Sequence, residues 1–336
     1  MDRLPQEILN CILDALSTIC LEEPLAGAGR SSCLRSAALV SRRWSEPAQR
    51  TLYQVVDIGN DSQARLFMAS AASKRWPIND LTLSSAPELS AWAVAAVLDV
   101  TPSVRTLDLN TLTTELHEGH LVCPSLKDLE MLLVNKPLVY MPFYEPPFPF
   151  TRLRRLVLGN REYSPQFCRC ILAVCSDSLQ SLTFAVGSKS PGFKALLENF
   201  GLVAAGLQDL GLWFTPANAR YALTVSSDDV LSYLPDLSHC HQLKSFRLVG
   251  YPPSMTGLST VLSTLPTHKL KHVQTFSYHL RGEAFSELAK CVRLEQLRNL
   301  RAWQHTTPSE VAQQSAGFVE FLLECHKRKI QVSSPY

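Results

Sequence analysis

The sequence has no apolar run near the roughly 18 residues that a membrane span needs, so no membrane association is expected. It has no excess of one charge either. Lys and Arg total 32 against 30 Asp and Glu, a net +2, too little for a polyelectrolyte grip on nucleic acid. The opening MDRLPQE puts an acidic residue and a proline where a signal peptide would be basic. Ten cysteines are scattered without the dense spacing of a disulfide scaffold, and they read as reduced, buried thiols. From these absences a protein of the cytoplasm or nucleus is expected. Phosphate-binding glycine loops, GxSxG elbows and HExxH helices are missing as well. No enzyme and no cofactor are expected.

What is present is apolar. Hydrophobic residues make up 46% and charged residues 18%, enough for a continuous core. Two N-terminal segments are unusually rich in helical stripes. In the first, Leu4-Pro5 suits a helix start, Glu7 favours its dipole, and Ile8, Leu9, Ile12, Leu13 and Leu16 make a wide apolar face. In the second, Leu34, Ala37, Val40 and Trp44 fall at helical spacing opposite Arg42-Arg43. Ser45-Glu46-Pro47 predicts the end of one helix and the start of another, with Ser45 as N-cap.

Beyond residue 76 one spelling recurs: an apolar residue, then apolar residues three and five positions on. It is read at Leu81 and Leu83, then as VRTLDL, LKDLEM (Leu126, Leu129, Met131), LRRLVL, LQSLTF, LQDLGL, LKSFRL, VQTFSY (Val273, Phe276, Tyr278) and LRNLRA. Most of its steps are within or near 20–29 residues, the leucine-rich-repeat range. Residues two apart on a strand share a face, and Ala91 to Val100, Phe167 to Cys175 and Phe193 to Leu202 supply helices between the strands. Such units bury their apolar faces only by stacking. The alternative is a flat parallel α/β sheet, against which the nine copies argue.

The N-terminal spelling resembles the F-box, a three-helix module that begins Leu-Pro-x-Glu-Ile/Leu and later reads Leu-Val-Ser/Cys-x-x-Trp; here these are Leu4, Pro5, Glu7, Ile8 and Leu39, Val40, Ser41, Trp44. The stretch Ser17 to Ser32 is longer than that family's usual connection. The rest is similar to leucine-rich repeats, though the usual Asn or Cys after each strand is not in register, which implies an uneven arc. The fold expected is therefore an α/β repeat: a three-helix F-box over 1–53, an irregular leucine-rich-repeat solenoid of parallel strands over 54–306, and a cap over 307–336. The cap rests on Thr307-Pro308-Ser309-Glu310, which spells a capping box, and on a last strand near Gln331.

The resemblance implies the substrate adaptor of a Skp–cullin–F-box ubiquitin ligase. Leu4, Pro5, Ile8, Leu9, Ile12, Leu13, Val40 and Trp44 would dock a Skp-type linker, and through it a cullin–RING ligase. The repeats would hold a substrate protein of unknown identity. A ligase-independent repeat scaffold is the alternative. Strand alternation turns Asp108, Glu130, Trp213, Arg247, Arg301 and Trp303 onto the concave face, together with Asp128 and Leu132, and makes the six candidate substrate contacts.

Other constellations are weaker. Cys168, Cys170 and Cys175 lack a spaced fourth metal ligand. In His239-Cys240-His241 alternate residues of a turn need not converge, and His117 and His120 sit in a polar loop with no second pair. Pro137 to Phe150 holds five prolines and five aromatics; proline excludes it from helix and central strand, and its aromatics are expected to fold onto the repeats, the alternative being a binding loop at the rim of the arc.

Overall fold

The computed structural model describes residues 8, 11–13, 36, 37, 39, 42–70, 78–101, 104–109, 112, 116, 117, 121, 123–134, 138, 139, 148–159, 163–186, 190–214, 235–250, 272–277, 299–304, 323–327, 329 and 331–333. The chain forms two compact units, residues 1–114 with 122–129, and residues 115–121 with 130–336.

In the first unit, residues 8, 11–13, 36, 37 and 39 are helical, and helix α1 spans Arg42–Gln54. Leu13, Ala37 and Ala48 form a buried cluster, with Trp44 and Leu52 packed against it. The expected break at Ser45-Glu46-Pro47 does not occur. Pro47 lies inside α1, and the Ser45 hydroxyl accepts a hydrogen bond from the Gln49 side chain instead of capping. An interior proline costs about 3 kcal/mol. The helix continues because Ala48 and Thr51, just beyond the proline, are buried, and their packing outweighs the one lost backbone bond.

Strands β1 (Val55–Asn60), β2 (Asp80–Glu88) and β3 (Thr106–Leu109) follow, with helices α2 (Asp61–Ala69) and α3 (Ala91–Val100) between them. The pairing is parallel, with Val56 opposite Leu81 and Leu81 opposite Leu107. Tyr53, Val56 and Ile58 are thus one earlier copy of the recurrent spelling. Ile58, Leu81, Leu83, Leu107 and Leu109 are buried, as the alternation requires. Asn60 caps α2 by accepting from the Gln63 N–H at 2.9 Å, and the Gln63 side chain accepts from the Gly59 N–H at 2.7 Å. Ser90 caps α3 and donates its own N–H to Asp61 at 2.7 Å, so one helix start is tied to the other.

The second unit is an all-parallel α/β arrangement. Its described strands are β5 (Met131–Val134), β7 (Arg155–Leu158), β8 (Ser181–Val186), β9 (Asp209–Phe214), β10 (Ser245–Gly250), β11 (His272–Ser277), β12 (Asn299–Gln304) and β13 (Gln331–Ser333). Each pairs with the next in chain order. Strands β4 (Leu116–His117) and β6 (Leu138–Val139) form a separate parallel pair. Helix α4 (Pro165–Val174) links β7 to β8; α5 (Pro191–Asn199) and α6 (Gly201–Ala204) link β8 to β9. Ser164-Pro165 and Ser190-Pro191 start α4 and α5 by one device. The serine accepts from the N–H three residues on, and proline takes the first turn, where its missing N–H is not needed.

Register corrects the repeat in two places. Leu132 pairs with Leu156, and Val134 with Leu158, so the second copy is Leu129, Leu132, Val134 rather than Leu126, Leu129, Met131. Both phrases fit LKDLEMLLV. The structure chooses the later one because Pro124–Asp128 winds into a 3-10 turn, and the strand starts after it. Leu132, expected on the exposed face, is fully buried. Likewise Val273, not Phe276, pairs with Phe246 and Leu300; the polar Thr275 two residues on hides the copy in the sequence. The equivalent positions 132, 156, 182, 210, 246, 273, 300 and 332 are then spaced by 24, 26, 28, 36, 27, 27 and 32 residues.

A backbone fork repeats at the strand starts. The Glu130 carbonyl accepts from the N–H groups of Arg154 and Arg155, that of Arg154 from Gln180 and Ser181, that of Gln180 from Gln208 and Asp209, and that of Gln208 from Lys244 and Ser245, all at 2.7–3.0 Å. One carbonyl uses both lone pairs to hold the next repeat. In the first unit the Asn79 carbonyl does the same for Arg105 and Thr106.

The core lies between sheet and helices. The Phe184 ring of β8 meets Phe193 of α5 at 6.2 Å. Phe148 stacks on Phe150 at 5.1 Å and meets Phe167 of α4 edge-on at 5.7 Å. Both aromatics at the end of the Pro137–Phe150 segment are buried, as expected; residues 140–147 lie outside the described ones. The Tyr163 hydroxyl donates to the Val134 carbonyl at 2.8 Å. Toward the C-terminus, residues 323–327 are helical and β13 provides the expected last strand; the capping box at 307–310 lies outside the described residues.

Gly192 and Gly201 offer a stability test. A Cβ on buried Gly192 would overlap the Tyr163 backbone carbonyl, whereas one on Gly201 meets nothing within 4 Å. Gly192→Ala should lose about 2–3 kcal/mol. Gly201→Ala should be neutral or gain up to about 1 kcal/mol from helix propensity. Urea denaturation of the two variants measures both.

Candidate functional site: an exposed N-terminal patch and a sheet face

Two surfaces carry the candidate residues. In the N-terminal helical segments, Ile8 is 47% exposed and Leu39 87%. Cys11 is exposed, and Ile12 is half-buried. Leu13, expected to face a partner, is fully buried, and half-buried Trp44 packs on the same cluster. These two side chains hold the helical segments together. A helical stripe wide enough for two jobs divides them by angle, and Leu13 sits on the inner side. Leu4, Pro5, Leu9 and Val40 lie outside the described residues.

The second surface is the sheet face opposite the helices, built from alternate residues of β7 to β10. Register sets two rows across it: Arg155, Ser181, Asp209, Ser245; and Val157, Thr183, Gly211, Arg247. Trp213 stands two residues beyond Gly211 and pairs with Ala185 and Val249. The middle of this face is low and tight. Val157, Thr183 and Ala185 are buried, and a Cβ on Gly211 would lie 2.6 Å from the Thr183 hydroxyl oxygen. Higher side chains flank it: exposed Arg155, and half-buried Asp209, Trp213 and Arg247. Arg247 has its pKa lowered from the usual arginine range, first by burial and then by repulsion from Arg155, with attraction from Asp209 the smaller, opposing effect.

The other sequence-derived candidates are placed less uniformly. Asp108 is half-buried on β3 in the first unit, between buried Leu107 and Leu109, as expected. Glu130 precedes β5 rather than lying in it, and its carbonyl is engaged in the backbone fork. Asp128 belongs to the 3-10 turn. Both displacements follow from the later strand start. Arg301 is in register with Gln274, and Trp303 with Phe276; their side chains lie outside the described residues. Arg155 was missed, although it precedes the middle leucine of LRRLVL just as Thr106 and Asp209 precede theirs, so alternation alone would have found it.

The described cysteines and histidines are placed as follows. Cys168 and Cys175 are buried in the α4 packing, and the Cys175 thiol donates to the Ile171 carbonyl at 2.6 Å. The Gln166 amide donates to Cys170 at 3.5 Å. His239 and Asp236 are 3.6 Å apart and exposed, and the His241 ring lies 6.3 Å from that of His239. The His117 side chain and His120 lie outside the described residues. Among the described residues, no group of three or more His, Cys, Asp or Glu could hold a metal ion, and no helix is long and apolar enough to cross a membrane.

Compared with known proteins, the chain matches no family model and no curated protein.

Burial pushes the thiols of Cys175 and Cys240 up from 9.0 to about 12, with the Asp236 charge adding to the effect at Cys240. Both should resist iodoacetamide in the native protein at pH 8, while exposed Cys11 is alkylated; peptide mapping checks this. The folded pKa values are raised, so the unfolded chain loses these protons first. Stability should accordingly fall as pH rises from about 9 towards 12, and chemical denaturation across that range measures it.

Proposed function

We propose that the chain is a substrate-recognition subunit of a Skp–cullin–F-box ubiquitin ligase. The N-terminal segments dock a Skp-type linker, and the repeat sheet holds the protein to be modified. The observation that carries this reading is the exposure of Ile8 and Leu39 within the two half-motifs that resemble the F-box. The small cluster beneath uses Leu13, Ala37 and Ala48 for its own packing, so the outer apolar residues remain for a partner.

The parallel repeat supports the second half of the reading. Stacked β units present a continuous row of side chains, here with Trp213 beside an arginine-bearing face, and Trp and Arg are the residues most enriched among interface hot spots. In this reading the chain performs no chemistry. It raises the concentration of substrate near the ligase's catalytic subunits, in the cytoplasm or nucleus, without a cofactor.

Copurification with a Skp-type linker tests the first half. Ile8→Asp combined with Leu39→Asp should abolish it, since two charges would be desolvated in an apolar contact. Both positions are exposed, so thermal unfolding should be unchanged. Undiminished linker capture by a folded double variant would remove the docking assignment and leave a ligase-independent scaffold as the better reading. For the second half, Trp213→Ala should weaken a verified substrate by about 2 kcal/mol, or roughly thirtyfold, measured by titration calorimetry.

A further inference from the structure

From the sheet face of β7 to β10, we infer that the substrate is recognised through the carboxylate of an aspartate or glutamate in an extended acidic segment, held between Arg155 and Arg247. The inference rests on the sheet-face half of the proposed function and names the chemistry of its ligand.

Geometry is the first support. Arg155 and Arg247 lie on strands three spacings apart and two residues out of register, roughly 16 Å at the Cα atoms. Between them register places only short residues: Ser181, Thr183 and Gly211, with Asp209 at one side. Two long arginine side chains can therefore lean toward one another over a floor that offers no bulk. Gly211 keeps that floor low, because any Cβ there would run into Thr183. The ladder hydrogen bonds occupy the floor's backbone groups, so a ligand is read by side chains.

Charge is the second support. Burial is the main cause that lowers the Arg247 pKa, and repulsion from Arg155 adds to it beyond the opposing attraction of Asp209, so an added anion beside the two arginines would relieve that repulsion. Two arginines and one aspartate sum to +1. A single carboxylate neutralises that sum. A phosphate carries nearly two charges and would leave an excess negative charge beside Asp209. The guanidinium fork also matches a carboxylate in two-point geometry. Trp213, half-buried two residues beyond Gly211, supplies an apolar contact for the residue that follows on an extended peptide.

Fluorescence anisotropy with labelled peptides tests this on the full chain. The probes are a glycine–serine peptide carrying spaced glutamates, the same peptide with glutamines, and the same peptide with phosphoserines. The glutamate peptide should bind saturably, and the glutamine peptide at least about tenfold more weakly. Arg155→Ala and Arg247→Ala should each cost about tenfold or more. Asp209→Asn should strengthen glutamate-peptide binding several-fold, a gain that misfolding cannot imitate. No saturable binding of the glutamate peptide at about millimolar concentration, equal affinity for the glutamine peptide, tighter binding of the phosphoserine peptide, or weaker binding after Asp209→Asn would each overturn the inference. Linker copurification of the same proteins separates the two levels: retained linker capture alongside any of those outcomes sinks the acidic-ligand assignment and leaves the adaptor reading standing.

Discussion

The structure depends on the backbone fork at the starts of β3 and of β7 to β10. A single β unit of this chain has too few leucines to hold itself together, and its register against the next unit could slip. The carbonyls of Asn79, Glu130, Arg154, Gln180 and Gln208 remove that freedom, each accepting two N–H groups from the following unit. A slip of one residue would break both bonds and turn every leucine to the wrong face. The buried row Leu156, Leu182, Leu210 and Phe246 follows directly from that restraint. Helix starts add a second restraint, since serine caps followed by proline set where α4 and α5 begin relative to the strands they connect.

Once register is held, the opposite face follows. Alternation places Arg155, Asp209, Arg247 and Trp213 on that face, and cross-strand pairing sets them in three adjacent rows around Thr183 and Gly211. The same rule that buries leucines on one side therefore collects charged and aromatic side chains on the other. Gly211 shows the closeness of the fit: it forfeits packing of its own, and the Thr183 side chain fills the space where a Cβ would stand.

The N-terminal segments divide their apolar residues between two tasks. Leu13, Ala37, Ala48, Trp44 and Leu52 pack on one another, and this packing carries α1 through Pro47. Ile8 and Leu39 are left in solvent. A small helical unit has much surface for little interior, so part of any wide apolar stripe must face outward.

The sequence by itself determined the period-two alternation, the helix at Ala91–Val100 and the inward folding of Phe148 and Phe150, because each depends on local spelling or on proline's missing donor. It also placed Trp213 and Arg247 at outward positions of their strands. It could not choose the phase of LKDLEMLLV, where two overlapping phrases satisfy one pattern. That choice belongs to the tertiary structure, since only pairing with Leu156 and Leu158 buries Leu132 and Val134 together and moves Glu130 off the strand. Nor could it foresee α1 crossing Pro47, because the local cost is visible in the sequence whereas the compensating contacts with Leu13 and Ala37 come from residues far away in the chain. The nearness of Arg155 to Arg247 is likewise tertiary: it arises from three successive strand pairings between residues that no local pattern relates.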